Sequence, residues 1–279
     1  MRNVWLMAQF SLSEMIRRKI LPILGVMTVG FFVLFDFAIS QQASIQGQGN
    51  TVSNFMTVYG DKVLAAFFIS LFIGFMAIFI VSGAITPEVD NGTLLVIQAR
   101  PLKRWELVLG KWAGMALIQL IIIPVLVLTT SGILQSHFPH QTIPAGSLIQ
   151  TILAFWGEGW ILSLLALSGS IFLSQVANGV MIGLAFIINF ILGSIAQASQ
   201  HSLVLKSVSQ GLNLLMPTSG LYQRALFEWV GGSANPLLLS VMGPFGVSHP
   251  PASSIFIYAA LYAALILALS FRWYARLDF

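Results

Sequence analysis

Two acidic residues stand inside long apolar stretches of the sequence, where ionisable side chains are rare and often functional. Glu158 lies well inside one stretch, within FWGEGW, and Asp36 lies near the end of an earlier one. Glu158 is therefore a candidate residue of a pathway or gate through a membrane. The alternative is that Gly157 and Gly159 break the helix, so that the carboxyl group lines a polar vestibule or makes a buried hydrogen bond. Asp36 is a second candidate, although a residue at that depth can also pair with another side chain or face water.

The other reactive side chains form no catalytic or metal-binding pattern. The sequence has no cysteine, which excludes a thiolate nucleophile, a disulfide and a cysteine-ligated metal. Its four histidines lie outside the apolar stretches, and the two in the segment HFPH are too few for a metal site, which needs three or four convergent ligands. A membrane-embedded protease or transferase would need paired aspartates or a Ser–His dyad inside those stretches. We therefore predict no metal and no catalytic residue.

The sequence also lacks the loop that cradles nucleotide phosphates. That loop reads G-x-x-x-x-G-K-[ST], whereas Gly110-Lys111 is followed by Trp112 and has no upstream glycine at the required spacing. The run LSGS at 167–170 lies inside an apolar stretch, where small residues favour close packing of helices. We predict that this chain does not hydrolyse ATP, is not an enzyme and binds no cofactor itself.

The composition places the chain in a bilayer. Hydrophobic residues make up 57% of the sequence, charged residues only 8%, and the mean hydropathy is +0.88. A soluble domain carries about 25% charged residues, so this chain cannot cover a water-facing surface. The net charge of +4 is typical of basic loops on one side of a membrane protein and does not indicate a nucleic-acid partner.

Six apolar segments are long enough to cross a membrane, since a helix needs about 20 residues to span about 30 Å of hydrocarbon. They cover residues 20–40, 63–85, 112–134, 148–173, 176–197 and 254–271. The predicted fold class is an all-α polytopic membrane protein, with residues 1–279 forming a single transmembrane domain.

Lys and Arg residues orient these six predicted spans. Ten of the 13 fall on one side: Arg2, Arg17, Arg18, Lys19, Arg100, Lys103, Arg104, Lys111, Arg272 and Arg276. The other side holds Lys62, Lys206 and Arg224. Because positive loops stay in the cytoplasm, we predict that both termini are cytoplasmic, which an even number of spans allows.

Residues 1–19 precede the first span and show a helical pattern. Trp5, Ala8, Leu12 and Met15 recur at the spacing of one helix face, and polar residues fall on another. This pattern predicts an amphipathic helix lying on the inner leaflet. The alternative is a cytoplasmic tail that is only loosely helical.

Residues 198–253 separate the fifth and sixth spans and are too interrupted to cross the membrane. Arg224 and Glu228 stand four residues apart, the right spacing for a pair on one helix face. We predict one or two short helices here that dip into the outer leaflet.

The most charged passage of the chain is TPEVDNGTLLVIQARPLKRWELVLGKW, residues 86 to 112. We call its residues 86–111 the coupling loop. Gly92 permits a sharp turn, Thr93 can cap a short helix that begins at Leu94, and Pro101 ends that helix and opens the next. The pattern predicts a short helix lying across the cytoplasmic ends of two spans. A plainer interpretation is that the charges only solvate a loop.

The coupling loop resembles the loop after the second span in permease subunits of type-2 ATP-binding-cassette (ABC) transporters. Members of that family commonly read E…GTL…P…R…GK at this place. Here the matching residues are Glu88, Gly92-Thr93-Leu94, Pro101, Lys103-Arg104 and Gly110-Lys111. The likeness extends to the whole chain: an N-terminal elbow helix, six spans, short re-entrant helices before the last span, and a basic cytoplasmic end.

The resemblance implies how such a chain would work. In that family the short helix of this loop couples the permease to a separate ATPase subunit. The implied coupling residues are Glu88, Asp90, Gly92, Thr93, Leu94, Pro101, Lys103, Arg104, Gly110 and Lys111. Two ATPase copies would bind ATP and Mg²⁺, and a second permease copy or a paralogue would complete the pathway. By the same resemblance we expect an exporter of the bacterial inner membrane.

Two other function classes stay open at this point. A stand-alone secondary transporter would usually be larger and carry internal repeats with discontinuous helices, and no repeat is evident. A polytopic membrane enzyme would need the convergent catalytic set that the spans lack.

Overall fold

The structure is a computed structural model that describes residues 2–17, 19–46, 51–82, 104–139, 142–198, 203–231, 247 and 251–275. All regular elements in these ranges are α-helices. They are α1 (Arg2–Arg17), α2 (Ile20–Gln46), α3 (Thr51–Ser82), α4 (Arg104–His137), α5 (Ala145–Gly169), α6 (Gln175–Ala198), α7 (Leu203–Leu215), α8 (Thr218–Trp229) and α9 (Ser254–Ala275).

Six of these helices, α2 to α6 and α9, are long and apolar enough to cross a membrane. They coincide with the six predicted segments, so the predicted all-α polytopic fold class is confirmed. Successive spans cross a membrane in opposite directions, and therefore α2, α4 and α6 begin at the same end of the bundle. We call it the basic end, because the sequence places most of its Lys and Arg residues there.

Two predicted boundaries are wrong. The fourth span ends at Gly169 rather than 173, where the chain turns and the Ser170 N–H bonds the carbonyl of Ala166 at 3.1 Å. The coupling loop was expected to continue to Lys111, but α4 already begins at Arg104. No proline lies between Pro101 and Trp112, and the helix extends through the charged residues that precede the apolar segment.

The spans differ in how much protein surrounds them. In α3 and α5, 67% and 61% of the most apolar stretch is buried, compared with 11% in α2 and in α9. The first two are therefore the central helices of the bundle. The outer two present large apolar side chains on their free faces, among them Leu34 of α2 and Leu261 of α9.

The helices bury two main apolar clusters. One contains Ile73, Leu126, Phe155 and Trp229. The other contains Met76, Met115, Leu162 and Tyr274. Both clusters take members from α3, α4 and α5, so these three helices form the framework against which the others pack.

Two short helices, α7 and α8, occupy the region where short helices were expected, and α8 is buried in the bundle. Asn189 of α6 stabilises its start, donating from Nδ2 to the Met216 carbonyl at 2.7 Å and to the Thr218 hydroxyl at 2.9 Å. Leu221 is fully buried against Gly157 of α5. The sequence predicted short helices here that dip into the outer leaflet, and the structure shows that polar groups of α8 find partners inside the bundle.

Tyrosines of α9 hold the end of α7. The hydroxyl of Tyr258 donates to the carbonyl of Leu214 at 2.6 Å, and that of Tyr262 donates to the carbonyl of Leu215. These are carbonyls of the last helical turn, which have no partner within their own helix. The last span therefore completes the backbone hydrogen bonding of α7.

The packing of α8 on α5 is tested by Leu221→Ala. Removing this buried side chain leaves a cavity, so we expect a loss of about 2–5 kcal/mol in the free energy of unfolding. The measurement is the unfolding midpoint in mild detergent. Leu261→Ala, at an exposed leucine of α9, is the matched control and should leave the midpoint unchanged. Equal midpoints for both variants would contradict the buried position of α8.

Candidate functional site

The structure describes only the last part of the coupling loop. Glu88, Asp90, Gly92, Thr93, Leu94, Pro101 and Lys103 lie outside the described residues. Arg104 is the first residue of α4, and Gly110 and Lys111 are its seventh and eighth residues. The role of the loop in ATPase coupling therefore stays a prediction. The described part of the loop, residues 104–111, forms the start of α4.

α1 packs directly on the start of α4 at two glycines. A Cβ atom on Gly110 would meet the side chain of Met7 and lie 3.0 Å from the Val4 carbonyl. A Cβ atom on Gly114 would lie 2.9 Å from the Ala8 carbonyl. Only glycine allows this close approach of the two backbones.

The spacing Gly110-x-x-x-Gly114 is a signal that the sequence analysis did not use. Small residues four apart lie on one helix face and are typical of close helix contacts in membranes. Gly110 was predicted to lie in the coupling loop, and the structure places it in the contact between α1 and α4. The Gly110-Lys111 pair of the motif therefore lies in a contact between helices.

Polar side chains at the same junction are withdrawn from the surface. Asn3 Nδ2 donates to Glu106 Oε2 at 3.2 Å, which joins the first turns of α1 and α4. Glu106 is 7% exposed and Lys111 only 2%. Lys111 was predicted as a coupling residue at the end of the loop, and its side chain is buried near the start of α4. Motion of the coupling loop would therefore be transmitted to α1 and α4 together.

A second polar cluster lies inside the bundle around Glu158. The residue is fully buried, and its Oε1 accepts a hydrogen bond of 2.5 Å from the Ser70 hydroxyl of α3. α5 is continuous through Gly157 and Gly159, which excludes the alternative that these glycines break the helix. The glycines instead admit Leu221 and Ile73 close to the α5 backbone. Of the possibilities for Glu158, the buried hydrogen bond is the one that the geometry shows.

Further polar side chains extend this cluster to α4 and α8. Gln119 Nε2 of α4 donates to the Ser163 hydroxyl at 2.9 Å, and that hydroxyl donates to the Gly159 carbonyl at 2.5 Å. The phenol of Tyr222 in α8 is fully enclosed, and burial together with the nearby Glu158 raises the pKa of Tyr222 above its usual range. Polar groups from α3, α4, α5 and α8 thus meet in the middle of the bundle.

Arg224 and Glu228 form the predicted pair on α8. Arg224 Nη2 lies 2.5 Å from Glu228 Oε1 and donates to Gln150 Oε1 of α5 at 2.8 Å. Arg224 Nη1 donates to the Pro251 carbonyl at 3.3 Å, just before α9. One guanidinium therefore links α8, the start of α5 and the approach to α9, as its fixed fork of donors allows.

Asp36 pairs with a histidine. Its Oδ1 lies 3.0 Å from His137 Nε2, which joins α2 to the end of α4. This is the paired state that the sequence analysis gave as one alternative. Both side chains are partly exposed, so the contact is an interhelical link at the surface of the bundle.

The family of this chain follows from its similarity to a known protein family. A family model described as "ABC-2 family transporter protein" matches residues 5–279. The chain belongs to this family. It is therefore the membrane-spanning permease of an ABC transporter, which confirms the resemblance drawn from the coupling loop and the topology. Among curated proteins, none matches the permease.

The junction of α1 and α4 in the permease is tested by Gly110→Ala. The added methyl group overlaps Met7, so we expect a loss of about 1–3 kcal/mol from overpacking and a displaced α1. The permease has no cysteine of its own, so an Asn3→Cys/Glu106→Cys pair bridged by a short bifunctional thiol reagent reports the junction directly. Gly110→Ala should reduce this cross-link.

Gly132→Ala is the matched control for that experiment. Gly132 lies in the same helix, and a Cβ atom there would meet nothing within 4 Å. It should leave both the cross-link and the unfolding midpoint unchanged. Full cross-linking in Gly110→Ala would contradict the close contact.

The Ser70–Glu158 hydrogen bond is tested by a double-mutant cycle. Ser70→Ala and Glu158→Leu each leave one buried partner unpaired, and each should cost about 1–3 kcal/mol of unfolding free energy. The double variant removes both partners and should cost less than the sum. Glu158→Gln keeps an acceptor of the same size and serves as the conservative control. Additive losses would show that the two side chains do not interact.

Proposed function

We propose that this permease is half of the membrane pathway of an ABC exporter and is driven by separate ATPase subunits. The single observation that carries the proposal is the family match over residues 5–279. The match is supported by the coupling loop, which connects the central helix α3 to α4. The exporter direction follows the family resemblance.

ATP hydrolysis belongs to a partner chain in this proposal. The sequence contains no phosphate-binding loop of the form G-x-x-x-x-G-K-[ST]. ATP and Mg²⁺ would therefore bind to two copies of the partner ATPase. The charges of the coupling loop, such as Glu88, Lys103 and Arg104, would orient that partner, because complementary charges guide docking. Gly92 and Thr93 would shape the short helix that enters it.

A second permease copy, or a paralogue, would complete the pathway. The outer helices α2 and α9 bury only a small share of their apolar surface within one chain, which leaves faces available for such a partner and for lipid. Both termini would lie in the cytoplasm, and the transporter would reside in a bacterial inner membrane.

Glu158 and Asp36 would act in gating through the links they make. Motion of the coupling loop would reach α3, and the Ser70–Glu158 hydrogen bond would pass it to α5 and the α8 packed on it. The Asp36–His137 contact joins α2 to α4, so a shift of α4 would move α2 as well. Neither residue needs to contact the cargo for this role.

The test is co-purification of the tagged permease in mild detergent, with mass spectrometry and an ATPase assay of the eluate. We expect a cassette ATPase at one copy per permease chain. Glu88→Arg and Thr93→Asp should reduce the bound ATPase by at least about tenfold, since a reversed or added charge opposes docking.

Gly146→Asp is the matched charge control. Gly146 is exposed at the start of α5, where a Cβ atom would meet nothing, at the end of the bundle opposite the coupling loop. It should retain the ATPase fully. A folded permease that carries no ATPase would overturn the proposal and favour a stand-alone transporter.

A further inference from the structure

A groove of about 560 Å³ opens on the surface of the bundle between α1 and the first half of α4. Trp5 of α1 and Trp105 of α4 stand at its edges, 55% and 40% exposed. Ala113 and Ala116 of α4 line it, and Trp160 of α5 reaches it from behind. Its size lies within the ~300–1,000 Å³ range of small-ligand sites.

The wall of the groove is rigid. Trp160 stacks on Trp156 with ring centroids 6.1 Å apart and nearly parallel planes, and its edge meets Trp112 at 6.0 Å. Aromatic pairs at these distances hold each other in place. The close contact at Gly110 and Gly114 fixes α1 against α4 beside the groove. The groove is therefore part of the packed junction between α1, α4 and α5.

The surface that lines the groove is almost entirely apolar. The indole N–H groups of Trp112 and Trp160 are shut off from the surface and have no hydrogen-bond partner among the described residues. Their donors therefore do not face an occupant, and the rings contribute only apolar surface. A ligand that fills the groove needs no polar atom within it, which indicates an alkyl chain.

Charge indicates what such an alkyl chain would be attached to. Both helices that form the groove begin at a basic residue shortly before the tryptophan that lines it, α1 at Arg2 before Trp5 and α4 at Arg104 before Trp105. Trp5 and Trp105 follow in the first turns of these helices, so the groove opens toward the basic end. Basic residues at a membrane surface attract anionic lipid headgroups.

We propose that this groove is a binding site for one anionic phospholipid of the adjoining leaflet. An acyl chain lies along Ala113 and Ala116 between the tryptophans, and the phosphate headgroup lies at the basic starts of α1 and α4. The groove for the acyl chain requires only that the chain spans a bilayer, so it does not depend on an ATPase partner or on the direction of transport.

The experiment is native mass spectrometry of the full-length chain in mild detergent, incubated with phosphatidylglycerol or with phosphatidylcholine of the same acyl chains. We expect one phosphatidylglycerol to be retained, at least about tenfold more than phosphatidylcholine. Ala116→Phe fills the groove and should reduce retention about tenfold. Ala260→Phe, at an exposed position of α9, is the matched control and should retain lipid like the native chain.

A second variant tests the headgroup. Arg2→Gln/Arg104→Gln should lower the retention of phosphatidylglycerol to that of phosphatidylcholine. The retention of phosphatidylcholine itself should not change. Equal retention of the two lipids by the native chain would overturn the anionic assignment. Phosphatidylglycerol retention that is unchanged in Ala116→Phe would overturn the groove as its site, as would retention of many lipids without a preferred single copy.

Fluorescence quenching keeps the proposal testable if Ala116→Phe does not fold. Phosphatidylglycerol with brominated acyl chains should quench tryptophan emission in a saturable step. Trp5→Phe/Trp105→Phe should lower the amplitude of that step, and Trp273→Phe, at an exposed tryptophan of α9, should not. Quenching that never saturates, or that falls equally in both variants, would mean general contact with the bilayer and would overturn the site.

Discussion

Close contact between neighbouring helices at glycine is the interaction on which this structure depends. Helices surrounded by lipid gain little from burying apolar side chains, so contact at small residues has to hold them together. Gly110 and Gly114 bring α1 onto α4, and Gly157 and Gly159 bring α8, α3 and α4 onto α5. Gly193 similarly brings the α6 backbone close to Ser219 of α8. Two of these contacts lie beside hydrogen bonds between helices, Asn3–Glu106 near Gly110 and Gln119–Ser163 near Gly159.

The buried hydrogen bonds follow from those contacts. Ser70 reaches Glu158, and Gln119 reaches Ser163, because Gly159 lets three helices meet around one point of α5. Polar atoms in such a place are costly unless they are paired. The pairs therefore specify how α3, α4 and α5 fit together, while the apolar side chains around them supply the bulk of the packing. A permease that must shift these helices during transport would rearrange a small number of such links.

Much of the fold could be predicted from the sequence, since hydropathy over about 20 residues is a strong signal. The six spans and the helical pair Arg224–Glu228 depend only on composition and on spacing along one helix. The burial of α8 could not be predicted, because its polar residues are satisfied by partners such as Gln150 and Asn189 that lie far away in sequence. The continuity of α5 through Gly157 and Gly159 agrees with the predicted fourth span. The sequence left open whether these glycines break the helix, because the residues that contact them on α3, α4 and α8 lie far away in sequence. The groove between α1 and α4 involves three helices, so no local pattern indicates it.

The tyrosines of α9 bear on how the chain is assembled during synthesis. The last carbonyls of α7 are bonded by Tyr258 and Tyr262, and both tyrosines are translated after α7 and α8. During synthesis the end of α7 therefore lacks these two hydrogen bonds until α9 has been made. The two bonds thus tie the final position of α7 to the arrival of the last span.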